Sequence, residues 1–408
     1  MDAAHRLALG AVMLSFGALG LAGSVAGTLV PAVREVFGLG LSAAMAVQWI
    51  ALVGVGVSSI PLAHLMQRIG FARMAVLALA TSLFGCLAVT ILLMPQFIAL
   101  PSYGLFLAAL LVLSIGGTAL QMSINPLAAM LGEPRLAASR VTVAQGVNSA
   151  GLLLAVVLSS VLVLARTGLS APGQPNYLMS GMALVYLISA ALTGAVLIFT
   201  ALVFRPASLP ALAQPARTAG TLTDALRDRW ARSGSLAIAA YVGAEGAIGG
   251  LLTSYLHQPH VLDLSMKTAG FAFASIYCGG MIAGRLLGGF LMRVLNSTRL
   301  LAGVSLSAAA CCLIVVLGNG FVAGTAALLI GPLNAIMFPV IFSTTLDRSG
   351  APSSVVSGLL VFATSGGAAV SALAGWIGES QGVSAAFIVP LCAYCMVARF
   401  AYRALQAD

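Results

Sequence analysis

The sequence predicts an all-α membrane protein of twelve transmembrane helices, arranged as two pseudo-symmetric six-helix bundles. Three observations predict it. Of the 408 residues, 60% are hydrophobic and only 7% are charged, giving a mean hydropathy of +1.07 that a water-solvated surface does not tolerate. Apolar runs long enough to cross a hydrocarbon core, about 20 residues for roughly 30 Å, recur along the chain between charged or Pro/Gly-rich breaks. The basic residues between those runs then fall almost entirely on one side of the array.

The runs lie near 7–30, 43–66, 72–94, 103–131, 139–166 and 178–204, then near 233–257, 268–292, 299–317, 320–344, 352–377 and 384–403. The first has Arg6 as a basic flank and small residues around Ala22 to Gly27, as a secretory signal does, but it is too long for one and is kept as a span. Between sixth and seventh, residues 205–232 (RPASLPALAQPARTAGTLTDALRDRWAR) form the one long polar stretch. This predicts a bundle over 1–204, a linker over 205–232 whose part from Leu222 to Trp230 suits a surface helix, and a second bundle over 233–408. No room is left for a sizeable soluble domain.

An even number of spans puts both termini and the linker on one side. Sixteen of the 19 basic residues fall there, and only Arg34, Arg166 and Lys267 fall opposite. Under the positive-inside rule that side is cytoplasmic. The net charge of +9 is spread singly through loops, with no patch or stripe for nucleic acid. The six cysteines all lie inside apolar runs, where thiols act as small hydrophobes. Cys392 and Cys395 have redox-motif spacing but sit in an apolar helix, so neither a disulfide framework nor a metal site is expected.

An internal repeat relates the halves. LMQRIGFAR (Leu65 to Arg73) aligns without gaps on LMRVLNSTR (Leu291 to Arg299), each after the second span of its half, and QMSINP (Gln121 to Pro126) lies over NAIMFP (Asn334 to Pro339) in each fourth span. Parallel repeats of this kind build transporters whose substrate site lies between the halves near the membrane midplane.

Polar side chains inside spans are the candidate functional groups, because lipid makes them expensive. Of the ten acidic residues Glu245 alone sits mid-span, about twelve residues or roughly 18 Å of helix from the start of span seven. It must be neutralised by a proton, an ion or a polar cavity; it is read as a coupling-ion or substrate group, the alternative being a protonated structural acid. Gln121 and Asn125 are four apart on span four, and Gln145 and Asn148 three apart on span five, so each pair shares a helix face. Asn334 sits at comparable depth in span ten, and Gln48 nearer the outer end of span two. Amides carry donors and acceptors together, which suits the hydroxyls of a neutral polyol; interhelical bridging is the other reading. Tyr241, Tyr277 and Phe338 can offer a stacking face for a sugar ring or simply pack. Trp49 and Trp376 read as interface anchors. Gly243, Gly246, Gly249 and Gly250 around Glu245 are expected to let the helix open there, and most other glycines to let helices approach.

Four stretches carry a family resemblance: YVGAEGAIGGLLTSYL (Tyr241 to Leu256), SIYCGGMIAGRLLGG (Ser275 to Gly289), GPLNAIMFPVIFS (Gly331 to Ser343) and SRVTVAQGVNSAG (Ser139 to Gly151). The chain resembles the fucose/proton symporter family of the major facilitator superfamily, and within it the glucose/galactose transporter branch, from first span to last. The resemblance implies the major facilitator fold and secondary active uptake of a monosaccharide by alternating access, with a proton or sodium ion as coupling ion, no cofactor and a monomeric chain. It implies sugar contact by the amide pair Gln145 and Asn148. Gln121, where the fucose symporters have glutamate, and Glu245, where they tend to have glutamine, both point to the hexose branch.

Two departures accompany it. Family members carry Asn-Asp four to five residues before the proline ending span one, the aspartate being tied to coupling; aligned on Pro31, those positions hold Ala26 and Gly27. Coupling then falls on Glu245, or is lost, or the substrate differs from a typical hexose. After span two the acidic signature position is Gln67, although Arg68, Gly70 and Arg73 remain, and with Arg285 these are the gating residues expected. The resulting expectation is sugar binding by Gln121, Asn125, Gln145, Asn148, Asn334, Tyr241, Tyr277, Phe338 and Gln48, with ion linkage at Glu245. An uncoupled sugar facilitator and a non-transporting membrane sugar sensor are the alternatives.

Overall fold

A computed structural model of the chain describes residues 3–44, 46–94, 102–164, 175–204 and 221–407. Among them, twelve helices are long and apolar enough to cross a membrane: Ala4–Thr28, Ala46–Ile69, Phe71–Leu93, Tyr103–Met130, Pro134–Val163, Leu178–Val203, Arg229–Leu256, Met266–Leu291, Ser297–Leu317, Gly320–Arg348, Ser353–Gln381 and Val383–Leu405. These are spans one to twelve below, and each overlaps one of the apolar runs. Arg166 and the first part of the linker, 205–220, lie outside the described residues.

Spans five, seven and ten run several residues beyond their apolar stretches, and at span seven a polar cap starts the helix early. The clearest case opens span seven. Thr221 and Asp224 form a capping box on the short helix Leu222–Arg227. Asp228 then takes extended backbone and restarts the chain as span seven, so the surface helix expected up to Trp230 is shorter. The Asp228 carboxylate accepts from the Ala231 N–H at 2.7 Å and from the Gly350 N–H at 3.1 Å, tying this start to the loop between spans ten and eleven. Burial would lift the Asp228 carboxyl, but the N–H groups of Ala231 and Gly350, the Ser349 hydroxyl and the Trp230 N–H together hold it below the usual carboxylate range.

A depressed folded value means that Asp228 contributes stability fully above the unfolded aspartate value, and loses it as pH falls through the folded one. Asp228→Ala should therefore lower stability by about 1 kcal/mol at neutral pH, the usual worth of an N-cap. The gap from wild type should close on acidification. Thermal unfolding in detergent across pH checks this; a gap that stays constant from neutral to acid pH rules out the charge of the carboxylate as its source.

The spans cluster into two compact units, one of residues 1–132 with 147–219, the other of 133–146 with 220–408. Small residues set the packing in the first. Gly85 faces the Leu113 backbone, and Gly116 lies so close to Ser82 that a Cβ would meet its backbone nitrogen at 2.7 Å, so spans three and four touch main chain to main chain. Gly54 receives Ser114 of span four, whose hydroxyl donates to the Ala51 carbonyl at 2.8 Å. An apolar core of Leu21, Val25, Leu29, Val89, Phe106 and Tyr186 fills one end of this unit.

In the second unit span seven runs unbroken through Glu245. The expectation that its glycines open the helix is corrected: Gly243 and Gly246 receive span eleven, with Val370 and the Gly367 carbonyl against the former and Ser371 against the latter. The Ser371 hydroxyl donates to the Gly243 carbonyl at 3.0 Å. The interruptions fall elsewhere. Span ten is two helices, Gly320–Asn334 and Met337–Arg348, and span eight has a π-helical stretch at Phe273–Cys278 between Met266–Ala272 and Gly279–Leu291. The two distorted spans lie together, with Gly280 and Gly284 against Pro332, Gly288 against Ile336, and Gly331 against the Tyr277 backbone. Pro332 inside span ten and these backbone approaches account for the break.

Candidate functional site

The first unit encloses a cavity of about 320 Å³ lined by spans one to six, with Gln121 and Asn148 as its amides and Ser24, Ser114, Thr118 and Thr193 among its hydroxyls. Asn148 is placed by the crossing of spans one and five. Gly17, Gly20 and Gly151 have no Cβ where the two backbones meet, and the Asn148 carboxamide donates to the Phe16 carbonyl at 3.2 Å, leaving its oxygen as acceptor. Gln121 faces the cavity from span four. Thr193 Oγ1 is buried there with no partner within the protein, a hydroxyl with both donor and acceptor capacity unspent. No charged side chain lines the cavity. It sits at the small end of the roughly 300–1,000 Å³ range of small-molecule sites.

Asn125, expected on the same face as Gln121, is buried away from this lining and donates to the Gln121 carbonyl at 2.8 Å. Gln48 is exposed, and its amide stands 3.8 Å from where a Cβ on Gly27 would be. It thus faces Gly27. Gly70 has φ 81°, a left-handed backbone that only glycine adopts without strain, and it makes the turn between spans two and three. Arg68 and Arg73 on either side are exposed.

The second unit holds a different polar cluster. Glu245 is half-buried on span seven, with Tyr241 one turn before it. The Tyr241 hydroxyl lies within electrostatic reach of the Glu245 carboxylate, the Arg285 guanidinium and Tyr277. Tyr277 comes from the π-helical stretch of span eight, its ring stacked on Phe273 at 5.3 Å; such stretches are frequent at functional sites because they re-aim a side chain. Asn334 is the last residue before the break in span ten, and its amide donates to the Tyr277 hydroxyl at 3.1 Å. Arg285 donates from Nη1 to the Gln145 carbonyl at 3.2 Å. Tyr394 of span twelve completes the cluster.

The other expected sugar contacts lie in the second unit. Tyr241, Tyr277 and Asn334 are buried, and none of them lines the cavity of the first unit. Glycines bring spans eight and ten close together beside them, Gly280 and Gly284 against Pro332 and Gly331 against Tyr277. Phe338 stacks on Phe342 at 5.7 Å and packs. Gln145 and Asn148 share a helix face, yet Gln145 clusters with the second unit while Asn148 lines the cavity of the first. Tyr394 was missed. Its only signal is a phenol inside an otherwise apolar run, beside Cys392 and Cys395, which draw attention first.

Residues 12–372 match the family description Major Facilitator Superfamily. A glucose/galactose transporter of Brucella abortus is 32% identical over 398 residues, covering 97% of this chain and 93% of its own. The L-fucose-proton symporter of Escherichia coli is 28% identical over 319 residues, covering 74% of this chain and 72% of its own. Among solved structures, the major facilitator transporter FucP in the outward conformation superposes with a TM-score of 0.85 at 22% identity, over 98% of this chain and 99% of that one.

Proposed function

From the premise that this chain belongs to the major facilitator superfamily, and is a multi-pass transporter of a bacterial inner membrane, we propose that it takes up a monosaccharide, glucose, galactose or a close relative, by alternating access coupled to an ion gradient. The carrying observation is the uncharged cavity with Gln121 and Asn148. Amides and hydroxyls both give and accept hydrogen bonds, as each hydroxyl of a neutral sugar requires, and a site built for those pairs rejects a molecule that leaves them unmet. The relatives named for glucose, galactose and L-fucose support the same class.

Glu245 is the ion-linked group in this reading, being the one acidic residue in the middle of a span. The bundles are 1–204 and 233–408 with the linker 205–232 between them, the termini are cytoplasmic, Arg68, Gly70, Arg73 and Arg285 act at the gate, and the chain works as a monomer. The coupling ion is a proton or sodium. The test is galactose counterflow in proteoliposomes, followed by uphill accumulation under a proton or sodium gradient. Glu245→Gln should lose accumulation while exchange persists, since a neutral amide mimics the loaded state. Accumulation at the wild-type level in that variant removes Glu245 from coupling.

An uncoupled facilitator is the second reading, favoured by Ala26 and Gly27 where the resemblance calls for Asn-Asp. Galactose uptake insensitive to protonophores and to sodium removal selects it.

A further inference from the structure

Where span seven begins and span twelve ends, the second unit has a pocket of about 470 Å³ lined by Arg229, Trp230, Arg232, Ser233, Arg403 and Gln406. Three guanidiniums meet there, and among the described residues no carboxylate lines it. The acidic side chains just before Arg229 in the chain are committed elsewhere. Asp228 accepts from the Ala231 and Gly350 N–H groups, and Asp224 accepts from Thr221 in the capping box. Arg229 and Arg232 also stand in the first turn of span seven, where the positive end of the helix dipole disfavours cations. Like charges gathered in a concave site focus a positive potential, so the ligand this pocket takes is an anion.

The recognition groups are held in place. Trp230 meets Phe400 of span twelve edge-on at 6.1 Å, and its ring carries the Arg229 guanidinium at 5.6 Å and that of Arg348 at 5.0 Å. A guanidinium stacked on a ring keeps the N–H donors in its own plane, the geometry that grips a phosphate through two oxygens. The Gln406 carboxamide adds a neutral donor, while the Ser233 hydroxyl is spent on the Trp230 carbonyl at 3.2 Å.

The surroundings select a lipid phosphate over a soluble one. Leu236, one turn past Arg232 on the same face of span seven, is exposed, and so is Met396, two turns before Arg403 on span twelve. Exposed apolar side chains on a membrane span meet acyl chains, so a phosphate in the pocket has a surface for its chains directly beyond it. Tryptophan is enriched at the depth between headgroup and hydrocarbon, which is where Trp230 stands.

We infer that Arg229, Arg232 and Arg403, with Gln406, bind the phosphate of an anionic phospholipid in the leaflet at this end of spans seven and twelve. Basic pockets between membrane helices are sites for such headgroups. The arginines favour phosphatidylglycerol or cardiolipin, whose net charge is negative, over phosphatidylcholine, whose choline they repel. A lipid seated there offsets the repulsion among the arginines and ties the first turn of span seven to the last of span twelve. The site shares no residue with the cavity of the first unit, and its test needs no sugar.

Native mass spectrometry of the delipidated full-length protein in dodecyl maltoside tests it. Phosphatidylglycerol should bind about ten-fold or more tightly than phosphatidylcholine. Arg232→Gln combined with Arg403→Gln should weaken phosphatidylglycerol binding about 25-fold, roughly five-fold for each charge removed. Both side chains are exposed, so the lipid-free double variant should unfold at the wild-type temperature. Arg293→Gln, which removes an exposed arginine after span eight, should bind as the wild type does. Inorganic phosphate at the concentration of the lipid should not displace it. Equal binding of the two lipids overturns the inference, and so does undiminished binding in the double variant or an equal loss in Arg293→Gln. Displacement by inorganic phosphate at equal concentration makes the ligand a soluble anion and overturns the lipid.

Discussion

Gly20→Ala should abolish galactose binding and destabilise the protein by about 3 kcal/mol or more, at the upper end of what overpacking costs. A methyl on Gly20 would overlap the Asn148 carbonyl oxygen and lie 2.8 Å from its carbon, with the Leu152 nitrogen at 3.1 Å. These are backbone atoms, so no rotamer change relieves the clash and spans one and five must part. Parting them pulls Asn148 from its bond to the Phe16 carbonyl and moves its oxygen within the cavity. Gly151→Ala should act the same way, since its methyl would overlap the Gly17 carbonyl oxygen from the other side of the crossing. Gly10→Ala is the control on the same span, with no atom within 4 Å of the added methyl, and a small gain in helix propensity is expected there. Thermal unfolding and galactose-induced thermal shift measure both effects. Gly20→Ala behaving like Gly10→Ala would show that the two backbones do not cross there.

Removing the cavity amides should weaken sugar binding without a comparable loss of fold. Gln121→Leu preserves volume but leaves a sugar hydroxyl unmet, which costs about 1–3 kcal/mol, or roughly ten- to hundred-fold in affinity. Asn148→Leu should match that loss and also lower stability, because it deletes the bond to Phe16. The contrast separates binding from scaffolding. The double variant should lose less than the product of the two, since both amides face one cavity and couple. Isothermal titration with galactose reads these numbers. Undiminished affinity in Gln121→Leu would place the sugar elsewhere.

The number and order of spans are legible in the sequence because lipid leaves a helix little choice. A run of apolar residues flanked by arginine reports itself locally, and the spans at Phe71–Leu93 and Ser297–Leu317 fall within a few residues of where hydropathy puts them. Glu245 is legible for the same reason, as a single carboxylate in a run that otherwise has none. What one span shows its neighbour is harder to read. Asn125 has the spacing to share a face with Gln121, yet it turns back onto its own helix, a bond that depends on what packs against it. Gln145 and Asn148 look like a matched pair, but only Asn148 meets the cavity. The glycines around Glu245 suggest an opening, while their real use, admitting span eleven, depends on Gly367 more than a hundred residues away. The break in span ten had a signal in Pro332 and Pro339 on either side of Asn334. The π-helical turn that carries Tyr277 had none; its backbone lies against Gly331, more than fifty residues away in the chain.

That interruption gives the tenth span the mechanics of two rods on a swivel. Its first rod, Gly320–Asn334, is braced by the glycine ladder of the eighth span, and its second, Met337–Arg348, is wedged by Thr345 against Gly234 of the seventh. Any tilt between those neighbours concentrates at Ala335 and Ile336, so the carboxamide of Asn334 sits where a small angular change becomes a sideways displacement.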